Sequence, residues 1–579
     1  MIHVSFFTKN TLAVGIAILF MTNAAAQTVV DYPDSQNHED YIEVYRTATD
    51  QKQTVFDVTV YNRPGYWIQL SSAGMLRGCQ TGKTYRMVKA EGFEMDKQVA
   101  MPDSGCRDFK CYFEPIDARD QAVHWIDRKN DTLFTALNVR PVSRSKEMFA
   151  CRIKGTVAGE RPCVRLLFYD FDQDNRVRPP LSIPVRGNRF DYTYYTDKPE
   201  VKMLTKWNEY MEGSWYVIPF FVEQGENEIT ILPESQDLEL HRATTANQEW
   251  KRIRQETDRR ESESRLDEYY KIMREMSPKQ KLTPEAFALH ERLQTLYEKM
   301  EKQGEDKTLR DSIGLLSKQC FKLEEAKKMY SPEYTQLREN VDGIWSLINR
   351  TMVTQMAKSP SLPALYRLYQ LIAEAIDENS PELRPYYQIY QRSFAPLWSE
   401  HPLGKHLEYM TKAGIQMKVG EQYPLFEARD LDGKQVSVNG LIKGKWALVD
   451  LWASWCGPCR QHSKDMIPVY RKFAGKGFTV VGIAREQNVS DALEAIREDG
   501  YPWMQLIDLR DEFCIWLRHG IGNSGGCLFL VDPEGKIAAI HPSAEEVEAI
   551  LEQHLGDQVR YPVHVSRQPQ SKRHLGECD

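Results

Sequence analysis

The apolar run Trp446-Ala447-Leu448-Val449-Asp450-Leu451-Trp452 breaks off into Ala453-Ser454-Trp455 and then Cys456-Gly457-Pro458-Cys459, after which apolar residues recur at helical spacing as far as Phe473. No other stretch constrains the fold as tightly. A run of this kind is a strand covered on both faces of a sheet, and its abrupt change of period places the two cysteines at the exit of the strand and the entry of a helix. Unpaired backbone amides and the helix dipole stabilise a thiolate there, lowering the pKa of Cys456 below the ordinary value of about 8.5 and making it a nucleophile toward disulfides. Cys459, one turn on, is the expected resolving thiol, attacking the mixed disulfide that Cys456 forms. Pro458 stiffens the first turn and lacks only an amide that the helix leaves unpaired. Asp450, on the strand beneath, is expected to be partly buried, to have a raised pKa and to accept the proton of Cys459. Trp452, Trp455 and Gly457 are the supporting residues of this turn.

From Val419 the chain alternates strand, helix, strand, helix, with strands at 446–452, 478–484, 529–532 and 536–540 and helices at 458–473, 490–498 and 544–554. Asp450-Leu451-Trp452-Ala453 followed by Trp455-Cys456-Gly457-Pro458-Cys459 resembles thioredoxin. The chain around it, from the lead-in Val419-Gly420-Glu421-Gln422-Tyr423-Pro424-Leu425-Phe426 to about Gly556, is similar to the extracytoplasmic TlpA/ResA-type thiol:disulfide oxidoreductases. The resemblance implies a thioredoxin fold and dithiol exchange with disulfide-bearing client proteins through a redox-active disulfide, with no other cofactor and no metal. Two positions depart from the family. Gly526, in Ser524-Gly525-Gly526-Cys527, stands where a cis-proline faces the active site, which puts the proline's metal exclusion and substrate-pairing roles in doubt. His462 replaces a glutamate three residues past the second cysteine; it is either a tuner of the dithiol or an ordinary surface histidine.

A chain of 579 residues exceeds what one core can hold and suggests about four domains. Residues 1–26 carry Lys9, an apolar run from Leu12 to Met21 and Ala24-Ala25-Ala26, the layout of a cleavable signal peptide, too short to span a bilayer. Residues 27–148 and 149–237 read as two antiparallel β-rich domains, with short strands such as 54–61, 65–70, 164–169 and 215–222 between turn residues. The second is similar to a domain found before exported thioredoxin-like modules. Residues 238–412 read as an all-α connector, with proline near several helix starts. Residues 413–556 form the α/β domain with the thioredoxin fold, and 557–579 a flexible tail. The expected fold class is thus a multi-domain chain: N-terminal antiparallel β domains, a helical connector and a C-terminal thioredoxin-type domain.

The net charge of −7, from 75 basic and 82 acidic residues, gives no electrostatic reason to expect nucleic acid as a partner. Eleven cysteines are too few for a disulfide-dense scaffold. Cys151 with Cys163, across a hairpin, and Cys106 with Cys111, around a small loop, are candidate bridges; Cys514 and Cys527 are expected to be buried thiols. A zinc site using Cys456, Cys459 and His462 lacks a second Cys-x-x-C to close it. A peroxiredoxin-like peroxidase shares the fold but would want threonine or serine at Ala453. A binding or scaffold protein with an accessory redox domain is the third reading. The intervening Gly-Pro resembles reducing thioredoxins, near about −270 mV, so a membrane-embedded electron donor is expected to recharge the dithiol in an oxidising periplasm, where the processed protein would be soluble. The sequence says nothing of oligomeric state.

Overall fold

The computed structural model describes residues 27–33, 36–37, 42–62, 64–126, 134–139, 148–159, 163–178, 180–213, 216–233, 237–304 and 306–556. The candidate signal peptide, the tail 557–579 with Cys578, and Trp215 lie outside these residues. The chain divides into two compact units, residues 1–148 and 149–579.

The first unit holds a nine-stranded sheet in which Thr54–Tyr61 pairs antiparallel with Ile42–Thr49 on one side and Cys106–Phe113 on the other. All eight residues of Thr54–Tyr61 are buried, and its inward residues meet Leu76, Phe113 and Trp125 in one core. The rings of Phe56 and Phe113 meet edge to face at 5.2 Å, a geometry aromatic pairs favour. Only Trp67–Ile68 of the expected strand 65–70 is extended. Cys106 and Cys111 stand toward opposite ends of one strand, five residues apart and so on opposite faces; they are not joined in a disulfide, so the small bridged loop expected does not form.

The second unit begins with two four-stranded sheets. One runs Arg189–Thr196, Phe149–Val157, Gly225–Ile231, Leu238–Arg242; the other Leu181–Pro184, Arg165–Asp170, Glu200–Lys206, Ile218–Val222. Two expectations are corrected here. Phe149–Val157 and Gly225–Ile231 pair in parallel, so this part is mixed rather than antiparallel. Residues 238–242 are a strand closing the first sheet, so the helical region starts at Thr245 rather than 238. Cys151 and Cys163 are buried, unbridged thiols whose pKa values burial raises to about 12 and about 11.

Helices follow from Thr245 to Gln416. The helical stretch that begins at Thr245 is broken at 263–265 into Thr245–Ser262 and Leu266–Glu275, and a π-helical turn lies at Tyr390–Phe394. Leu362–Asp377 is the most buried helix of this region; its Tyr366 packs edge to face on Phe221 and Trp250, joining sheet and helices in one cluster.

The last part is a seven-stranded sheet. Near its centre runs Trp446–Trp452, buried at every residue, parallel to Phe478–Glu486 and antiparallel to Cys527–Val531. Met504–Leu509 extends the parallel side, and Ile537–Ile540 the antiparallel side. The helix Gly457–Phe473 leaves the carboxyl end of the central strand, and Ala544–Leu555 packs beside it over a shared core. Among the described residues no helix is long and apolar enough to cross a membrane.

Candidate active site

Because the central strand ends at Trp452, Ala453–Trp455 turn the chain and Cys456 becomes the N-cap of the following helix. Its Sγ accepts the backbone N–H of Cys459 at 3.3 Å, one of the amides a helix start leaves unpaired. Cys456 and Cys459 are joined as a disulfide, with Cα atoms 5.3 Å apart. Both are nearly covered, at 6% and 8% exposure, while Gly457 and Pro458 between them face solvent. A Cβ placed on Gly457 would meet no heavy atom within 4 Å, so this edge of the disulfide is open.

Asp450 is more buried than its position in the run suggests, at 2% exposure. Burial raises its pKa to about 7, opposed only by the Ser463 hydroxyl, which donates to Asp450 Oδ2 at 2.6 Å and lies 3.0 Å from the Cys459 carbonyl. A carboxyl beneath the helix start, half ionised near neutrality, suits proton exchange with a thiol. Trp452 is fully buried and donates from Nε1 to Gln505 Oε1 at 3.0 Å. Trp455 is partly covered and lies with its ring 5.8 Å from that of Trp516. His462 is half-buried on the active-site helix, its ring 5.1 Å from that of His541.

Gly526 lies against the dithiol, as its place in the sequence suggests. Its N–H donates to Cys459 Sγ at 3.1 Å, a contact no proline can make. A Cβ here would stand 1.8 Å from the carbonyl oxygen of Leu451, so this backbone admits only glycine. A Cβ on Gly525 would sit 3.8 Å from Cys456 Sγ, so the missing side chain leaves room over that sulfur. The described residues contain no cis peptide bond.

Residues 419–540 match the family model described as the AhpC/TSA family. The thiol-disulfide oxidoreductase ResA of Bacillus thuringiensis strain Al Hakam is 27% identical over 122 residues, which are 21% of this chain and 68% of that protein. The thiol:disulfide interchange protein DsbE of Pseudomonas fluorescens biotype C is 33% identical over 94 residues, 16% of this chain and 49% of that one. This chain carries a thioredoxin-like oxidoreductase domain. A solved structure, the thioredoxin domain of a thiol-disulfide oxidoreductase from Bacteroides vulgatus, is 32% identical and covers 24% of this chain and 98% of its own, with a TM-score of 0.23.

Two charged groups beside the dithiol of the thioredoxin-like domain escaped the reading of the sequence. Glu486, buried at the end of Phe478–Glu486, accepts both the backbone N–H and the hydroxyl of Ser454, the latter at 2.9 Å, and so fixes the turn before Cys456. Burial lifts its pKa to about 7. An acid beside Arg485 at the end of a largely apolar strand is the only sequence signal for it. Arg176 reaches the site from the loop between Arg165–Asp170 and Leu181–Pro184, its guanidinium 3.7 Å from the Trp455 ring centroid. Cys514 and Cys527 are half-buried free thiols, both raised to about 11 by burial, in keeping with inert side chains. Among the described residues no group of three or more His, Cys, Asp or Glu gathers as a metal site.

Proposed function

We propose that this chain is an extracytoplasmic thiol:disulfide oxidoreductase that reduces protein disulfides through Cys456 and Cys459. The observation that carries the reading is the pairing of these cysteines at a helix N-terminus, with Cys456 Sγ receiving the Cys459 amide. In the reduced chain the Cys456 thiolate attacks one sulfur of a client disulfide; an S–S bond forms between chain and client, and the client's other sulfur leaves as a thiolate. Asp450 takes the proton of Cys459, whose thiolate attacks Cys456 Sγ; the client's second sulfur leaves and the Cys456–Cys459 disulfide closes. Two electrons pass to the client, and a membrane-embedded dithiol donor returns two electrons and two protons to the chain. Gly457-Pro458 between the cysteines supports the reducing direction, and residues 1–26, with their apolar core and Ala-Ala-Ala end, support export to the periplasm.

An insulin disulfide-reduction assay tests this. The wild-type chain is expected to precipitate reduced insulin chains and Cys456→Ser to be inactive; no activity in either rejects the reading. Peroxide consumption dependent on Cys456 would favour a peroxidase instead, and a midpoint potential above about −150 mV would reverse the direction.

A further inference from the structure

Arg176 belongs to a different sheet from the dithiol, yet it stands at its edge. The segment Asp170-Phe171-Asp172-Gln173-Asp174-Asn175-Arg176-Val177-Arg178 leaves the strand Arg165–Asp170 and crosses to the thioredoxin-like domain. It is pinned there. Asp174, with a side chain only 4% exposed, lies 3.4 Å from the Arg485 guanidinium, itself 5% exposed. Arg485 in turn pairs with Asp511 and donates to the Asn523 side chain at 2.9 Å. At the other end Asp172 accepts from His406 at 2.8 Å, and Phe171 packs edge to face on Tyr369 and His406. A charge pair this buried is strongly destabilised when one partner is lost, so the segment is a fixed wall rather than a flap.

Arg176 uses only part of its donor set to hold this position. Nε and Nη2 donate to the two oxygens of Asp174 at 2.9 and 2.8 Å, and Nη2 also donates to the backbone carbonyl of Asn523. The guanidinium carbon lies 3.7 Å from the centroid of the Trp455 ring, next to Cys456. Nη1 has no hydrogen-bond or ion-pair partner among the described residues, and the side chain is 45% exposed. Exposed beside it are Gly522-Asn523-Ser524, which Arg176 touches through the Asn523 carbonyl, and Gly457-Pro458 between the cysteines, with Gly525 leaving space over Cys456 Sγ. The charges of Arg176, Arg485, Asp174 and Asp511 cancel, so what remains at this edge is a directed pair of N–H donors rather than a broad positive field.

We infer that Arg176 is a specificity-determining residue: the loop Asp170–Arg178 forms one wall of the client groove, and Arg176 Nη1 binds a carboxylate flanking the client's disulfide. This rests on the oxidoreductase reading above. A guanidinium held over an aromatic ring keeps its remaining N–H donors free for a ligand, and its hydrogen bonds to a carboxylate are about twice as strong as those between neutral groups. Clients with glutamate or aspartate beside the cysteine should therefore be reduced fastest, those with an amide there more slowly, and those with lysine slowest.

The test uses the full reduced chain and three disulfide-linked peptides that differ only in carrying Glu, Gln or Lys beside the reacting cysteine. The ratio of second-order rate constants for the Glu over the Lys peptide is expected to be about ten or more in the wild type, the scale of one charge-assisted hydrogen bond. It should fall toward one in Arg176→Ala and invert in Arg176→Glu. A wild-type ratio near one, or a ratio unmoved by Arg176→Ala, overturns the inference while leaving the oxidoreductase reading intact. A general rise in all three rates on Arg176→Ala would mean that the side chain obstructs clients and also overturns it. If the wild type reduces none of the peptides, the oxidoreductase reading falls as well.

Discussion

Single residues carry the chemistry of this site, and two of them make opposite demands on water. Cys456 keeps a hydrogen bond to the helix amide and an open edge at Gly457, whereas Asp450 is shut away beneath the helix. With burial raising its pKa to about 7, Asp450 is suited to the proton exchange with Cys459 proposed above. Asp450→Asn is expected to slow the resolving step about tenfold to a hundredfold and to abolish an inflection near pH 7 in the rate of mixed-disulfide release, measured by stopped-flow Trp455 fluorescence. Gly526 is the other residue whose identity decides the outcome. Gly526→Pro removes the N–H that reaches Cys459 Sγ and drives ring carbons toward the Leu451 carbonyl, so a loss of both activity and thermal stability is expected, read by insulin reduction and calorimetry. The cysteine pair and Asp450 were legible because they lie in one uninterrupted strand-turn-helix run. Gly526 was legible only as an exception to a pattern, and its reason, close approach to Leu451, lies in the fold.

Elements position these residues, and their own ends are where buried acids collect. Glu486 closes the strand beside the central one and holds Ser454; Asp508, near the end of Met504–Leu509, accepts the N–H groups of Phe513 and Ile515, both at 2.9 Å. Burial raises Asp508 to about 6, alongside about 7 for Glu486 and Asp450. Each carboxyl ionises in the unfolded chain near its ordinary value of about 4 but keeps its proton longer when folded, so the folded state binds more protons between these limits and stability falls as pH rises from about 4 to about 7. The unfolding midpoint of the redox domain's transition in the oxidised chain is expected to be lower at pH 8 than at pH 5, with the difference reduced in Asp450→Asn. A midpoint higher at pH 8, with no dependence on that substitution, would contradict this account. The sequence exposed the period of most elements: Thr54–Tyr61 and Trp446–Trp452 fall at their expected residues. It did not expose the break at 263–265 or the partner of Gly225–Ile231, because a strand's neighbours are set by contacts remote in sequence.

At the scale of the second unit, sheets, helices and redox domain share buried contacts rather than hanging on linkers. Phe221 from a strand, Trp250 and Tyr366 from two helices meet in one cluster, while Asp174 and Arg485 join a sheet loop to the redox domain. Phe221→Ala is expected to cost about 3–5 kcal/mol through the cavity it leaves, read as a lower denaturant midpoint for the helical region. Nothing in residues 170–178 announces the active site, since the groups they meet, Trp455, Arg485 and Asn523, lie far along the chain; this is the part of the site that only the fold reveals.

The central claim is that Cys456 attacks a client disulfide and Cys459 resolves the adduct. Mass spectrometry of the reduced Cys459→Ser chain after exposure to a disulfide-linked peptide tests it most directly. A stable adduct of one peptide half on Cys456 is expected, absent in Cys456→Ser and transient in the wild type. An adduct mapped to another cysteine, or none at all, would contradict it.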